Sequence, residues 1–220
     1  MPARPSTFPR AYAVQMTSGR LGDPPGSRLA PGQNPSAETA AIVVEEWTGR
    51  QLTMRLVEAM DIYALAMRYP RQTGAQRAIS ARQHTGYRGF ACRAAVRADG
   101  ALVGFGYGYT TARGQWWHDS VRRAIPPDHA REWLTDSFEL SEIHVLPECQ
   151  SAGIGRRLLT SLAAGVGNRS ILLSTPDADT KAFRLYRSVG FVDLARHYFF
   201  PGDGRPFAIL GAHLPLREHA

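Results

Sequence analysis

The chain of 220 residues contains few cysteines, and their scarcity excludes two kinds of site. Cys92 and Cys149 are too few and too far apart for a disulfide framework or a zinc site. Small domains stapled by disulfides belong to oxidising compartments. The composition therefore indicates a reducing compartment, and we expect a cytoplasmic protein that binds no metal.

Long apolar runs are also missing. A membrane-spanning helix needs about 20 consecutive apolar residues, and no stretch of the chain approaches this length. The N-terminus has no apolar segment after Arg4 of the kind found in secretory signals. We therefore expect a protein that is neither exported nor inserted in a membrane.

Lysine is scarce as well, since Lys181 is the only lysine among the 26 basic residues of a chain with a formal net charge of +7. Seven arginines share a stretch without acidic residues: Arg68, Arg71, Arg77, Arg82, Arg88, Arg93 and Arg97. Nucleic-acid interfaces usually interleave such charges with aromatic residues, which are sparse here. The pattern favours a solvated basic surface over nucleic-acid binding, the alternative that a steep salt dependence would reveal.

Residues 1–39 contain seven of the 15 prolines and no hydrophobic periodicity, so they are predicted to form a disordered arm before a folded domain over residues 40–220. Strand-like and helix-like patterns alternate from there on, which predicts a sheet flanked by helices. The predicted helices cover residues 58–70, 74–84, 154–164 and 179–190. The predicted strands cover residues 41–47, 51–57, 138–147 and 170–176, with hairpins over 90–111 and 191–214.

Two features of the strand patterns carry further expectations. Gly104, Gly106 and Gly108 share one face of a strand, which favours close packing of a helix there over ligand contact. In residues 138–147 the apolar alternation breaks once between Leu140 and Ile143, as an inserted bulge residue would cause.

The stretch from Pro147 to Leu159 places two glycines between a predicted strand and a predicted helix. A helix N-terminus has free N–H donors and a partial positive charge, so an uncovered one favours phosphate. The spacing does not match a Walker loop, which needs Gly-Lys-Ser/Thr at its end. Leu158 stands where a dinucleotide fold wants a small residue.

The hexapeptide Gln150 to Gly155 resembles motif A of the GNAT acetyltransferase superfamily: Gln or Arg, two residues, Gly, one residue, Gly or Ala. The preceding strand with Val145 and Pro147 resembles the family strand, and residues 179–191 resemble motif B. The resemblance implies an α/β fold with a mixed, mostly antiparallel central sheet flanked by helices. Its two parallel central strands would be splayed and would bind acyl-CoA.

Acetyl-CoA is then the implied co-substrate, although a longer acyl donor stays open. The implied cofactor-binding residues are His144, Val145, Gln150, Ser151, Ala152, Gly153, Ile154, Gly155, Arg156, Asp179 and Tyr186. Asp179 departs from the asparagine that is commoner in the family. It could still cap the following helix, because aspartate is a good N-cap residue.

The resemblance also implies direct attack of an amine on the thioester. Tyr186 matches the motif B tyrosine and would protonate the departing thiolate, while Glu139 or Glu142, beside the bulge, would take the proton of the amine. A core tyrosine and two surface carboxylates are the structural alternatives. His118, His129 and His144 are weaker candidate bases, and Cys149 lacks a motif-placed histidine that could activate it.

Residues 112–137 form a long connection that contains Trp116, Trp117 and Trp133, with Pro126 and Pro127 separating two short helices. We expect this connection to form a wall of the acceptor pocket; a satellite core is the alternative. A catalytically silent acyl-CoA-binding module is the alternative to an N-acetyltransferase. The sequence identifies neither the amine, small-molecule or peptidyl, nor whether the chain forms a homodimer.

Overall fold

The computed structural model describes residues 42–217, so the predicted arm over residues 1–39 lies outside the described residues. The strands are β1 (Val43–Trp47), β2 (Ala91–Val96), β3 (Leu102–Thr110), β4 (Ser137–Val145), β5 (Ser170–Pro176), β6 (Val192–Tyr198) and β7 (Phe207–His213). The helices are α1 (Gly49–Met54), α2 (Leu56–Met67), α3 (Arg71–His84), α4 (Trp116–Ala124), α5 (Pro127–Leu134), α6 (Ile154–Ala164) and α7 (Lys181–Ser188).

The strands form one sheet in the order β1-β2-β3-β4-β5-β7-β6. Its neighbours are antiparallel except for β4 and β5, which pair in parallel. The predicted fold class, a mostly antiparallel mixed sheet flanked by helices, is confirmed.

Helices cover both faces of the sheet, and the alternation of side chains along β5 separates the two layers. Leu172 packs into a cluster with side chains of α4 and α5, whereas its neighbours Ile171 and Leu173 pack with those of α6 and α7. Helices α1 to α3 pack on the same face as α4 and α5, against Phe105 and Tyr107 of β3.

The predicted strand over residues 51–57 is wrong, because these residues are helical. Thr48 and Gln51 form a capping box: the Thr48 hydroxyl accepts from the Gln51 N–H, and the Gln51 side chain accepts from the Thr48 N–H. Leu52 of α1 and Leu56 at the start of α2 are both buried and belong to the same core cluster. The pair Thr48-Gly49 therefore begins a helix instead of joining two strands.

The expected helix against the glycine face of β3 is only partly correct. A Cβ added to Gly104 would lie 3.3 Å from Leu158 of α6, but one added to Gly108 would lie 2.0 Å from the main-chain oxygen of Glu139. The closest approach therefore comes from the neighbouring strand β4. The other helices and hairpins form as predicted, with Pro126 and Pro127 at the start of α5. No helix within residues 42–217 is long and apolar enough to span a bilayer.

Candidate active site

The centre of the sheet opens because β4 contains a bulge. Tyr107 of β3 pairs with Glu142 and the next residue, Gly108, pairs with Leu140, so Ser141 is the extra residue. The bulge that the broken alternation predicts is confirmed. The parallel pairing of β4 with β5 ends at Glu139 and Leu172, after which the two strands separate.

A cavity of about 860 Å³ lies at this opening and is lined from both faces of the sheet. One side is formed by the glycine turn and by residues of α6 and α7. The other side is formed by α2, α3, α4 and the loop between β6 and β7. The cavity thus connects the two helical layers through the gap between β4 and β5.

The glycine turn leaves the start of α6 uncovered. Gly153 has φ of 78°, a conformation that favours glycine, and no side chain caps the helix. A Cβ added to Gly153 would meet no atom within 4 Å, so the space above the turn is open. Gln150 closes the turn by donating from Nε2 to the carbonyl oxygen of Val145 at 3.1 Å. The N-terminus of α6 is thus open beside Lys181, whose Nζ donates to the Ser151 hydroxyl at 3.0 Å.

Most of the predicted cofactor-binding residues line this cavity: His144, Val145, Gln150, Ser151, Gly153, Gly155, Arg156 and Tyr186. Ala152 and Ile154 do not, and the Ile154 side chain is buried in the core. Asp179 is also absent from the lining and forms an ion pair with Arg184 at 2.7 Å. The expectation that Asp179 caps the helix is wrong, because the Thr180 hydroxyl accepts from the N–H of Phe183 and caps α7.

Glu142 is a buried carboxylate held by two partners. Its Oε1 forms an ion pair with Arg77 of α3, and its Oε2 lies 2.5 Å from Nε2 of His144. Burial alone would raise the pKa of Glu142, but Arg77 and then His144 outweigh it and lower the pKa to about 2. Glu142 is therefore an ionised group with little tendency to take a proton.

Glu139 is equally buried but has a different environment. Its Oε2 has no hydrogen-bond partner in the described structure. Burial raises the pKa of Glu139 to about 8, and the negative charge of Glu142 adds to this, while a hydrogen bond from Tyr109 and the charge of Arg77 oppose it. Glu139 can therefore exchange a proton near neutral pH, and it is one of the residues that line the cavity.

Tyr186 lies on the opposite side of the sheet, in the cluster packed under α6 and α7. Its ring contacts Phe191 with centroids 5.5 Å apart, and it lines the cavity. Burial, followed by the charge of Glu142, raises the pKa of its hydroxyl well above the usual value. The hydroxyl therefore stays protonated and can donate.

Trp116 and Trp117 line the same cavity, whereas Trp133 does not. Trp133 stacks on His213 at 4.2 Å and belongs to the satellite core with Trp117. The connection over residues 112–137 therefore supplies both a cavity wall and a packed core.

Several residues of the cavity could not be identified from their local sequence. Arg77 has no motif, and its ion pair joins it to a residue 65 positions away. Tyr63 and Tyr69 lie in and just after α2 without any distinguishing spacing. His118, His129 and Cys149 do not line the described cavity. Within residues 42–217 no three side chains of His, Cys, Asp or Glu lie close enough together to hold a metal ion.

The sequence profile described as the Acetyltransferase (GNAT) family matches residues 56–191. The chain belongs to this family. A GCN5-like protein acetyltransferase from Mycobacterium tuberculosis is 38% identical over 205 residues, covering 80% of this chain and 100% of the relative. Membership of this family supports acyltransferase activity for the chain.

Solved structures share the fold at low sequence identity. The ribosomal-protein-S18-alanine N-acetyltransferase of Escherichia coli has a TM-score of 0.54 at 19% identity, covering 81% of this chain and 97% of that one. A GNAT phosphinothricin acetyltransferase from Sinorhizobium meliloti, solved in complex with AcCoA, has a TM-score of 0.53 at 18% identity, covering 79% and 89%. These similarities support the GNAT architecture.

Proposed function

We propose that this chain transfers the acetyl group of acetyl-CoA to the nitrogen of an amine acceptor by direct attack. The observation that carries the proposal is the cavity through the sheet, which has Glu139 on one face, Tyr186 on the other and the glycine turn at one end. Donor and acceptor can thus approach from opposite faces and meet at the gap between β4 and β5.

The residues at the glycine turn fit the diphosphate of coenzyme A. The uncapped N-terminus of α6 offers N–H donors beneath the open space at Gly153, and Arg156 and Lys181 add positive charge at the lining. The main-chain groups of β4 that lose their parallel partner after Glu139 would bond the pantetheine amides. Acetyl-CoA supplies the activated acetyl group as a thioester.

Glu139 is the residue we assign as general base. Its unpartnered Oε2 would take a proton from the acceptor ammonium, which leaves the nitrogen lone pair free to attack. Glu142 is a poor base near neutral pH, because Arg77 and His144 lower its pKa to about 2 and so weaken its affinity for a proton. Its part is electrostatic: the ion pair keeps Arg77 and His144 in place beside the reacting groups.

Tyr186 is the residue we assign as general acid. As the new C–N bond forms and the C–S bond breaks, its hydroxyl would donate a proton to the departing sulfur. The second proton that the nitrogen must lose goes to the Tyr186 phenolate and Glu139 releases its proton to solvent, so the products are an amide, the free thiol and one proton. Both groups lie at the cavity, which excludes bulk water from much of their surface.

The acceptor could be peptidyl or a small molecule. The Mycobacterium relative is named a protein acetyltransferase, and the structural neighbours include one that acts on a ribosomal-protein alanine and one on phosphinothricin. The fold alone does not fix the choice.

The test is to measure acetyl-CoA binding by the rise in Tm and turnover by thiol release over a panel of amines. Tyr186→Phe should keep the Tm rise and lower kcat by roughly 10²-fold or more, the scale expected for losing a general acid. Binding without turnover by any amine would instead identify a catalytically silent acyl-CoA-binding module. Unchanged turnover by Tyr186→Phe at every pH would remove Tyr186 from the mechanism.

A further inference from the structure

The acceptor side of the cavity is mostly aromatic. We call the following set the aromatic wall: Tyr63, Tyr69, Trp116, Trp117, Phe200 and Phe207, all of which line the cavity on the face of α2 and α4. Trp116 and Phe207 contact Phe200 with centroids 5.4 Å apart, and Tyr63 contacts Tyr69 at 5.8 Å. The wall thus contains two groups of rings in contact, Tyr63 with Tyr69 and Phe200 with Trp116 and Phe207, from three separate parts of the chain.

Each carboxylate on this side is either paired with an arginine or assigned to the proposed reaction. The acidic residues among the described cavity lining are Glu139, Glu142 and Asp203. Glu142 is paired with Arg77, and Asp203 accepts from Arg205 Nε at 2.9 Å and from its Nη2 at 2.6 Å. Glu139 alone has an unpartnered oxygen, and it lies at the gap where one amine must react.

The cationic residues on this side are arginines. Arg68, Arg77 and Arg205 all line it. The Arg205 guanidinium lies over the rings of Tyr69 and Phe207, 5.7 and 5.5 Å from their centroids, and donates to the Tyr69 hydroxyl. A second ammonium on the acceptor would meet these arginines and would find both Glu142 and Asp203 already paired with arginine, so like charges would repel it.

From these observations we infer that the acceptor is a monoamine whose nitrogen is carried by an aromatic body, either free or as the N-terminal residue of a peptide, and that polyamines are rejected. The inference rests on the proposed function and specifies its acceptor. Stacking of the body on the aromatic wall would bind it, and the single amine would reach Glu139.

The test compares five acceptors with acetyl-CoA by thiol release: tryptamine, the tripeptide amide Phe-Ala-Ala, hexylamine, spermidine, and an N-terminally blocked peptide with one lysine. Burial of an aromatic body should give tryptamine or the tripeptide a kcat/KM about tenfold or more above hexylamine, which carries the same charge. Spermidine should be poorer than hexylamine. The better of the two aromatic acceptors identifies the free or the peptidyl source.

Two variants test the wall itself. Trp116→Leu should raise KM for the preferred aromatic acceptor by about fivefold or more and leave KM for hexylamine nearly unchanged. Phe199→Leu is the matched control, because Phe199 is exposed, adjoins Phe200 in sequence and does not line the cavity. It should leave both values unchanged. A Trp116→Leu variant with the parent's selectivity would overturn the inference.

The failure of this inference differs from that of the proposed function. Preferred turnover of spermidine, hexylamine or the lysine peptide would overturn the aromatic acceptor and leave the acetyltransferase proposal standing. Absence of turnover with all five overturns the aromatic acceptor as well. In that case the absence of a Tm rise with acetyl-CoA would also contradict the proposed binding of acetyl-CoA. A retained rise would support that binding.

Discussion

Glu139 and Glu142 lie three residues apart on β4 and both are buried, yet their environments move their pKa values in opposite directions. Burial penalises the charge on each of them. Only Glu142 has a cation and an imidazole in contact, and these partners reverse the effect of burial. The sequence could indicate both glutamates as candidates but could not separate them, because the partner that decides, Arg77, comes from a different element.

The first prediction at this scale concerns activity. Because Glu139 must lose its proton before it can act as a base, kcat/KM should rise with pH and reach half its maximum near its pKa of about 8. Glu139→Gln should lower kcat by roughly 10²-fold or more and abolish this rise of kcat/KM with pH. Two amines with different pKa values serve as the control. If Glu139 sets the pH dependence, the pH of half-maximal kcat/KM is the same for both.

Stability should depend on pH through the same residue. Folding raises the pKa of Glu139 from 4.5 to about 8, so its contribution to stability is full below 4.5 and is lost as pH rises through 8. Relative to Glu139→Gln, the unfolding free energy of the parent should fall between about pH 5 and pH 8, by at most about 1.4 kcal/mol per pH unit. Urea titrations at several pH values measure this difference, and parallel curves would contradict it.

At the scale of elements, the sequence predicts those features of the fold that depend on residues adjacent in the chain. The broken alternation at Leu140 and Ile143 predicts the bulge, and Pro126 with Pro127 predicts the break between α4 and α5. The strand prediction for residues 51–57 fails because Leu52, Met54 and Leu56 alternate with polar residues as in a strand, whereas the capping box of Thr48 and Gln51 starts a helix.

The glycine turn before α6 gives a prediction at this scale. Gly153→Glu should abolish the rise in Tm with acetyl-CoA, since its carboxylate would occupy the open space above the turn and repel phosphate. Gly153→Ala separates the strain of the positive φ, which any side chain suffers, from this filling and repulsion. Gly167→Glu is the control, because Gly167 is also open to solvent but has no positive φ and does not line the cavity. A full Tm rise in Gly153→Glu would remove the turn from the donor site.

At the scale of the whole molecule, the side of the cavity that we propose for the acceptor is the part that the sequence could not predict. Its rings and charges come from α2, α4 and the loop between β6 and β7, which have no shared motif, and only the tertiary fold brings them together. The glycine turn could be predicted because its residues, from Gln150 to Arg156, are contiguous in the sequence. Tryptophan content indicated a wall at Trp116 and Trp117 but could not assign Trp133 to the satellite core.

The ion pair of Arg77 and Glu142 ties the helical layer of α3 to the centre of the sheet, and its removal gives the last prediction. Arg77→Met would leave Glu142 buried without its cation, so the unfolding free energy should fall by about 3 kcal/mol or more. Glu142→Gln added to Arg77→Met should restore part of this loss, because no buried charge then remains unpaired. Urea denaturation of the parent, both single variants and the double variant closes the cycle, and losses that simply add would show that the two side chains stabilise the fold independently.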